Sequence, residues 1–184
     1  MMFLFWPILA ALLVVIAWLV LTYNGLIGAR NRTDEAWSDI DVQLKRRYDL
    51  IPNIVETVKG YAKHEEKVFI DVTQARTAAM SAKTPAEHAK AEDALTNTLK
   101  SLFAVAEAYP GLQAAGNFLH LQQELTDAED KIQAARRFFN GNVRDYNTRL
   151  QVFPTNIVAG FFGFSTREFF DAPEIAMQAP EVKF

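Results

Sequence analysis

From Phe3 to Tyr23 the chain reads FLFWPILAALLVVIAWLVLTY, with no charged side chain. Wound as an α-helix at 1.5 Å per residue, such a run spans roughly 30 Å, the thickness of a bilayer core. Trp6, Trp18 and Tyr23 stand near its ends, where amphipathic rings anchor at the lipid–water boundary. Pro7 falls in the opening turns, where a missing N–H costs least. A cleavable signal peptide calls for a basic leader, a shorter apolar core and a small-x-small cleavage site. No Lys or Arg precedes this run. The reading is a retained single-pass anchor over residues 1–23, meeting the bilayer through residues 3–23.

The nearest basic residues, Arg30 and Arg32 and then Lys45, Arg46 and Arg47, all follow the span. That bias favours a domain on the cytoplasmic side. Net charge is −3 and no basic stripe dominates, which argues against nucleic acid as a partner. The absence of cysteine fits either compartment and excludes thiol chemistry.

Beyond Tyr23 the periodicity is helical throughout. A first stripe carries Trp37, Ile40, Leu44, Tyr48, Ile51, Val55, Val58 and Ala62, with Pro52 expected to kink it and Gly60 to weaken its end. A second helix is expected from about His64 to Ala82. Thr84, Pro85 and Glu87 form a capping box for a third, whose stripe of Leu95, Leu99, Leu102, Ala106 and Tyr109 ends at YPG. The fourth, from about Gln113, carries Phe118, Leu121, Leu125, Ala128, Ile132, Ala135, Phe139, Val143, Tyr146, Leu150 and Phe153 before Pro154 closes it. The expected fold is all-α: a transmembrane helix, then an antiparallel up-down four-helix bundle over 24–153 whose first and fourth helices are long. Residues 154–184 form a Phe-rich segment and a Pro/Ala-rich tail. The short middle helices leave part of the long pair uncovered.

The first long helix reads DIDVQLKRR and the fourth DAEDKIQAARR, acid before base in both. Laid antiparallel with equal rise, facing residue numbers sum to about 174. Asp39 and Asp41 then oppose Arg136 and Arg137, while Arg46 and Arg47 oppose Asp127, Glu129 and Asp130. Such pairing fixes register more than it stabilises, since exposed pairs contribute about 0–1 kcal/mol each. The competing reading is an ordinary solvated helix face.

Catalytic and metal patterns are scarce. His64, His88 and His120 lack Glu-x-x-His and His-x-x-x-His spacing and read as surface residues or caps. No Gly-rich phosphate loop or G-x-S-x-G elbow occurs. Glu124, Glu129 and Asp130 could ligate a metal, but basic residues nearby make ion pairing the better reading. The segment FPTNIVAGFFGFSTREFFDAP concentrates aromatic rings. Phe161, Phe162, Phe164, Phe169 and Phe170 either cap the open end of the long helices, meet a neighbouring subunit, or lie at the bilayer interface.

The strings AWSDIDVQLKRRYDLIPNIVETVKGYAKHE, AVAEAYPGLQ and LQQELTDAEDKIQAARRFFNGNVRDYNTRLQVFPTNIVAGFFGF resemble the LemA family of bacteria, from about Tyr23 to Ala172. Phe139 stands where a Tyr is usual, and Gly116 replaces a larger polar residue. The resemblance implies an anchored helical-bundle protein of the bacterial inner membrane, with no established catalytic activity, cofactor or metal. Its relatives include a magnetosome membrane protein, and its genes often lie near membrane-protease or envelope-stress genes. Three functions follow as expectations. The first is a non-catalytic scaffold that self-associates into homo-oligomers through its helices and the Phe-rich segment. The second is an adaptor working with a membrane protease or other envelope protein. The third is a metal-binding enzyme built on the fourth helix's carboxylates.

Overall fold

The computed structural model describes residues 2–170, with side chains from Trp6 onward. The tail with Glu174 and Glu181 lies outside the described residues. Six helices follow in order: α1 (Met2–Lys59), α2 (Glu66–Ser81), α3 (Pro85–Glu107), α4 (Pro110–Gln113), α5 (Gly116–Gln151) and α6 (Thr155–Phe161). No strand occurs among the described residues. The fold class is all-helical.

The apolar anchor and the first amphipathic stripe are a single element, α1, 58 residues long. Gly25 and Gly28 at the junction each cost helix stability relative to Ala but do not end the helix. Helical assignment also continues through Pro52 and stops only before Gly60. Trp6–Lys59 contains one window apolar enough to cross a membrane, and that window is entirely unburied by the rest of the chain.

Local chemistry explains the other boundaries. Thr84 Oγ1 accepts from the Glu87 N–H at 3.2 Å, and Glu87 accepts from the N–H groups of Lys83 (2.8 Å) and Thr84 (3.3 Å). Those backbone donors, Lys83 foremost, hold the Glu87 carboxyl below its ordinary pKa. The YPG stop does not lead straight into the long helix. Pro110 opens a one-turn helix, α4, because proline suits a first helical position. The long helix therefore begins at Gly116, not near Gln113.

A helix not anticipated, α6, follows Pro154. It ends where Gly163 takes φ +70°, a conformation that side chains resist. Phe164 N–H then bonds Ala159 O at 2.9 Å, and Gly163 N–H bonds Gly160 O at 3.3 Å. These are the paired bonds of a Schellman cap.

Two compact units share the described chain. The first comprises the residues up to Ser38 with Phe138–Arg167, and the second comprises Asp39–Arg137 with the residues from Glu168. In the first, Leu26 and Ala29 of α1, Tyr146 and Leu150 of α5, and Val158 and Ala159 of α6 form a buried cluster joined by Trp18, Tyr23 and Phe164. Trp37 also meets Phe139 edge-on, with ring centroids 5.4 Å apart. In the second, Ile40, Leu44, Ile51 and Ile54 are buried with Leu95, Leu102, Leu112 and Ile132, and α2 packs along α3.

Candidate functional site

The most unusual feature of the second unit is an arginine in its core. The residues Ile40, Leu44, Arg47, Ile51, Ile54 and Val58 alternate in steps of four and three, the spacing of a buried seam. Arg47 therefore points inward and is 1% exposed. On α3 the same spacing runs through His88, Glu92, Leu95, Leu99 and Leu102, so Glu92 is buried as well, at 0%. Burying either charge alone would be strongly unfavourable, and each is matched.

Arg47 Nη1 donates to Glu92 Oε2 at 2.7 Å and lies 3.2 Å from Glu129 Oε2. Its Nη2 donates to Thr96 Oγ1 at 2.8 Å. The Tyr48 hydroxyl donates to the second oxygen of Glu92. Arg76 Nε donates to the Tyr48 carbonyl at 2.7 Å. Four helices thus meet in one polar network: α1 through Arg47 and Tyr48, α2 through Arg76, α3 through Glu92 and Thr96, and α5 through Glu129. Burial, reinforced by the Glu92 carboxylate, pushes the Tyr48 phenol far above its ordinary pKa. Tyr48 is held neutral, as a donor. Beside the network a groove of about 400 Å³ is lined by Arg47, Thr96, Lys100, Glu129 and Asp130 among others.

The sequence-named charges distribute unevenly. Arg47 and Glu129 meet, while Arg46 reaches Glu124 at 3.8 Å, an acid not expected for it. Among the described residues Asp127 and Asp130 form no ion pair. Neither does Asp39 nor Asp41 with Arg136 or Arg137, contrary to the expected register pairing. The reason lies in Arg136, whose guanidinium sits 4.4 Å from the centroid of the buried Phe170 ring. Asp39, Asp41 and Arg137 are exposed, with water as the cheaper partner. His88, expected as a surface residue or a helix cap, is buried within α3. Glu124 and Glu129, the carboxylates of the metal reading, each face an arginine.

The Phe-rich segment divides. Phe170 is buried and Phe169 half-buried in the second unit. In the first, Phe164 is half-buried, 5.7 Å from the Tyr23 ring and 5.9 Å from the Arg30 guanidinium. Phe162 meets Tyr23 at 4.8 Å, whereas Phe161 is 84% exposed. The segment is fastened by Arg167: its backbone N–H and carbonyl both bond the Asn147 amide at 2.9 Å, and its guanidinium holds Asp34 at 2.8 Å.

A family model described as the LemA family matches residues 36–184. The chain belongs to the LemA family. Among curated proteins, this LemA-family chain is similar to Magnetosome protein MamQ 2 of Paramagnetospirillum magneticum, 26% identical over 181 residues. That match covers 84% of the chain and 66% of the relative, so the chain spans just under two thirds of that protein's length. Magnetosome protein MamQ of Magnetospirillum gryphiswaldense is 24% identical over 186 residues, covering 87% of the chain and 68% of the relative. Protein LemA of Metamycoplasma hominis is 28% identical over 156 residues, covering 83% and 70%.

Sequence reasoning missed Glu92, Thr96, Arg76, Asn147 and Arg167. For Glu92 a signal existed: it lies three residues before Leu95 and seven before Leu99, on the apolar stripe itself. Nothing comparable marks Asn147 or Arg167, whose pairing depends on how the chain turns after Gln151.

Proposed function

We propose that this LemA-family chain is a membrane-anchored, non-catalytic scaffold of the bacterial inner membrane, with its helical domain on the cytoplasmic side. The observation that carries the reading is α1: an exposed apolar window and an amphipathic bundle stripe lie in one uninterrupted helix. The two stretches follow one another in one helix with no loop between them, which suits assembly at the membrane. In this reading residues 1–23 are the anchor and residues 24–153 an antiparallel up-down bundle of α1, α2, α3 and α5, with α4 a turn between the last two. The network joining Arg47, Arg76, Glu92 and Glu129 supports that arrangement.

The buried charges support a structural role over a reactive one. Glu92 already accepts from Arg47 and Tyr48, which leaves it poorly suited to proton transfer. Relatives named as magnetosome proteins lend support, since they are named for a structure and not for a reaction. Self-association runs along the exposed helix faces, where Ile70 and Leu119 stand open to solvent. Mass photometry of the detergent-purified full chain at nanomolar concentration should give homo-oligomers. A clean monomer under those conditions would remove the scaffold reading, and co-purification of a stoichiometric protease would put an adaptor in its place.

A further inference from the structure

We infer that α6 forms an interfacial seat, laying Phe153, Ile157 and Phe161 into the headgroup–acyl boundary of the bilayer that α1 crosses. The inference rests on the anchored reading and assigns the outward rings to lipid, not to a second copy. Ile157 and Phe161 are four apart and so share one side of α6, while Phe153 stands in the turn just before it; the three are 61%, 84% and 76% exposed in that order. The opposite side of α6 is already used, because Val158 and Ala159 are buried against Leu26, Ala29 and Leu150. A short helix that is apolar on both sides has one face too many for water.

Its level along α1 identifies the occupant. Tyr23, the last residue of the charge-free span quoted above, meets Phe162 at 4.8 Å, and Trp18 packs against the same cluster. The exposed rings therefore stand beside the end of the span, where aromatic side chains gather in membrane proteins. Two arginines stand at this level, with Asp145 the acid nearest them on α5. Arg149 lines a groove of about 250 Å³ with Leu21, Thr22 and Thr155, and Arg30 lies over Phe164. No acid precedes Asp34, which is paired to Arg167. Apolar rings bordered by guanidinium groups match an acyl layer bordered by phosphates.

The chain has no cysteine, so single labels are readily introduced. Full-length F161C, I157C, L12C and V42C would each carry an environment-sensitive fluorophore in phospholipid vesicles. Each would then be quenched by nitroxides attached high on the lipid acyl chain, by nitroxides attached near its end, or by aqueous iodide. Labels at Phe161 and Ile157 should be quenched by the nitroxide high on the chain several-fold more than the label at Val42, and by iodide less. Both residues are exposed, so replacement removes little core packing. Behaviour like that of Val42 overturns the seat while the Leu12 label, quenched by the nitroxide near the chain end, keeps the anchor. Shielding from all three quenchers that is relieved on diluting protein into lipid assigns the face to a second copy and overturns it too. An unquenched Leu12 label removes the anchor, and the seat with it.

Discussion

Arg47 and Glu92, separated by 45 residues in sequence, meet at 2.7 Å with side chains 1% and 0% exposed. Replacing either alone, as in Arg47→Met or Glu92→Met, strands the other partner's polar groups and should cost about 3–5 kcal/mol where a full charge is left buried. Arg47→Met with Glu92→Met should lose much less than the two single losses combined. Denaturant unfolding of all four proteins in a double-mutant cycle measures the coupling. Additive losses would show the pair to be independent.

Alkaline pH should expose Tyr48. Its pKa is raised in the folded state, first by burial and then by Glu92. The stability this gives is fully present below the unfolded phenol value of about 10 and is lost as pH climbs above it. Tyr146 is likewise raised by burial, though Arg167 and Arg30 pull the other way. Absorbance at 295 nm should show Tyr48 ionising only with unfolding. Tyr48→Phe should lower stability at neutral pH and flatten the further loss above pH 10; an unchanged alkaline slope would count against the assignment.

Gly163→Ala forces a side chain into φ +70° and should cost about 1–2 kcal/mol locally. Gly163→Asn should cost less, since Asn tolerates that region. Hydrogen exchange at the Phe164 amide, bonded to Ala159 O, reads the loosening directly. Equal exchange in both variants and the parent would mean that the cap does not hold the segment.

Asp39→Asn with Asp41→Asn should change stability by no more than about 0.5 kcal/mol, as expected for solvated side chains. Arg136→Ala should cost more, about 0.5–2 kcal/mol, through loss of its stacking on Phe170. Urea unfolding separates the two. A larger loss from the aspartates would restore the register pairing expected from sequence.

How far the sequence could be read follows from the range of each interaction. The apolar helix, the stripes of α1 and α5 and the Thr84–Glu87 cap are local patterns, written within a few turns of chain, and they are legible in the sequence. The Arg47–Glu129 juxtaposition came from matching two such patterns. Glu92 was hidden by habit: a lone acid among Leu95, Leu99 and Leu102 is usually read as solvent-facing. Treating Arg47 and Glu92 as seam positions on their own helices would have paired them. The boundary at α4 failed because YPG signals a stop without saying whether a turn of helix follows. Arg136 was misassigned because its partner, Phe170, lies beyond the helical region in sequence. The Asn147–Arg167 clasp joins side chain to irregular backbone, for which periodicity carries no information.

The first compact unit is built from both ends of the described chain, and this has a consequence for biosynthesis. Asp34 and Arg167 lie 133 residues apart, so at about 5–20 residues per second the acid waits roughly 7–27 s for its partner to be made. For most of that interval Leu26 and Ala29 have no cover from Tyr146, Leu150 or Val158, because those residues do not yet exist. The second unit's inner portion, by contrast, has Arg47, Glu92 and Glu129 in hand well before the first is complete. The apolar span is made long before the residues of Phe138–Arg167 that pack beside its end. Synthesis of Phe138–Arg167, rather than of the apolar span, sets the earliest moment at which this unit closes.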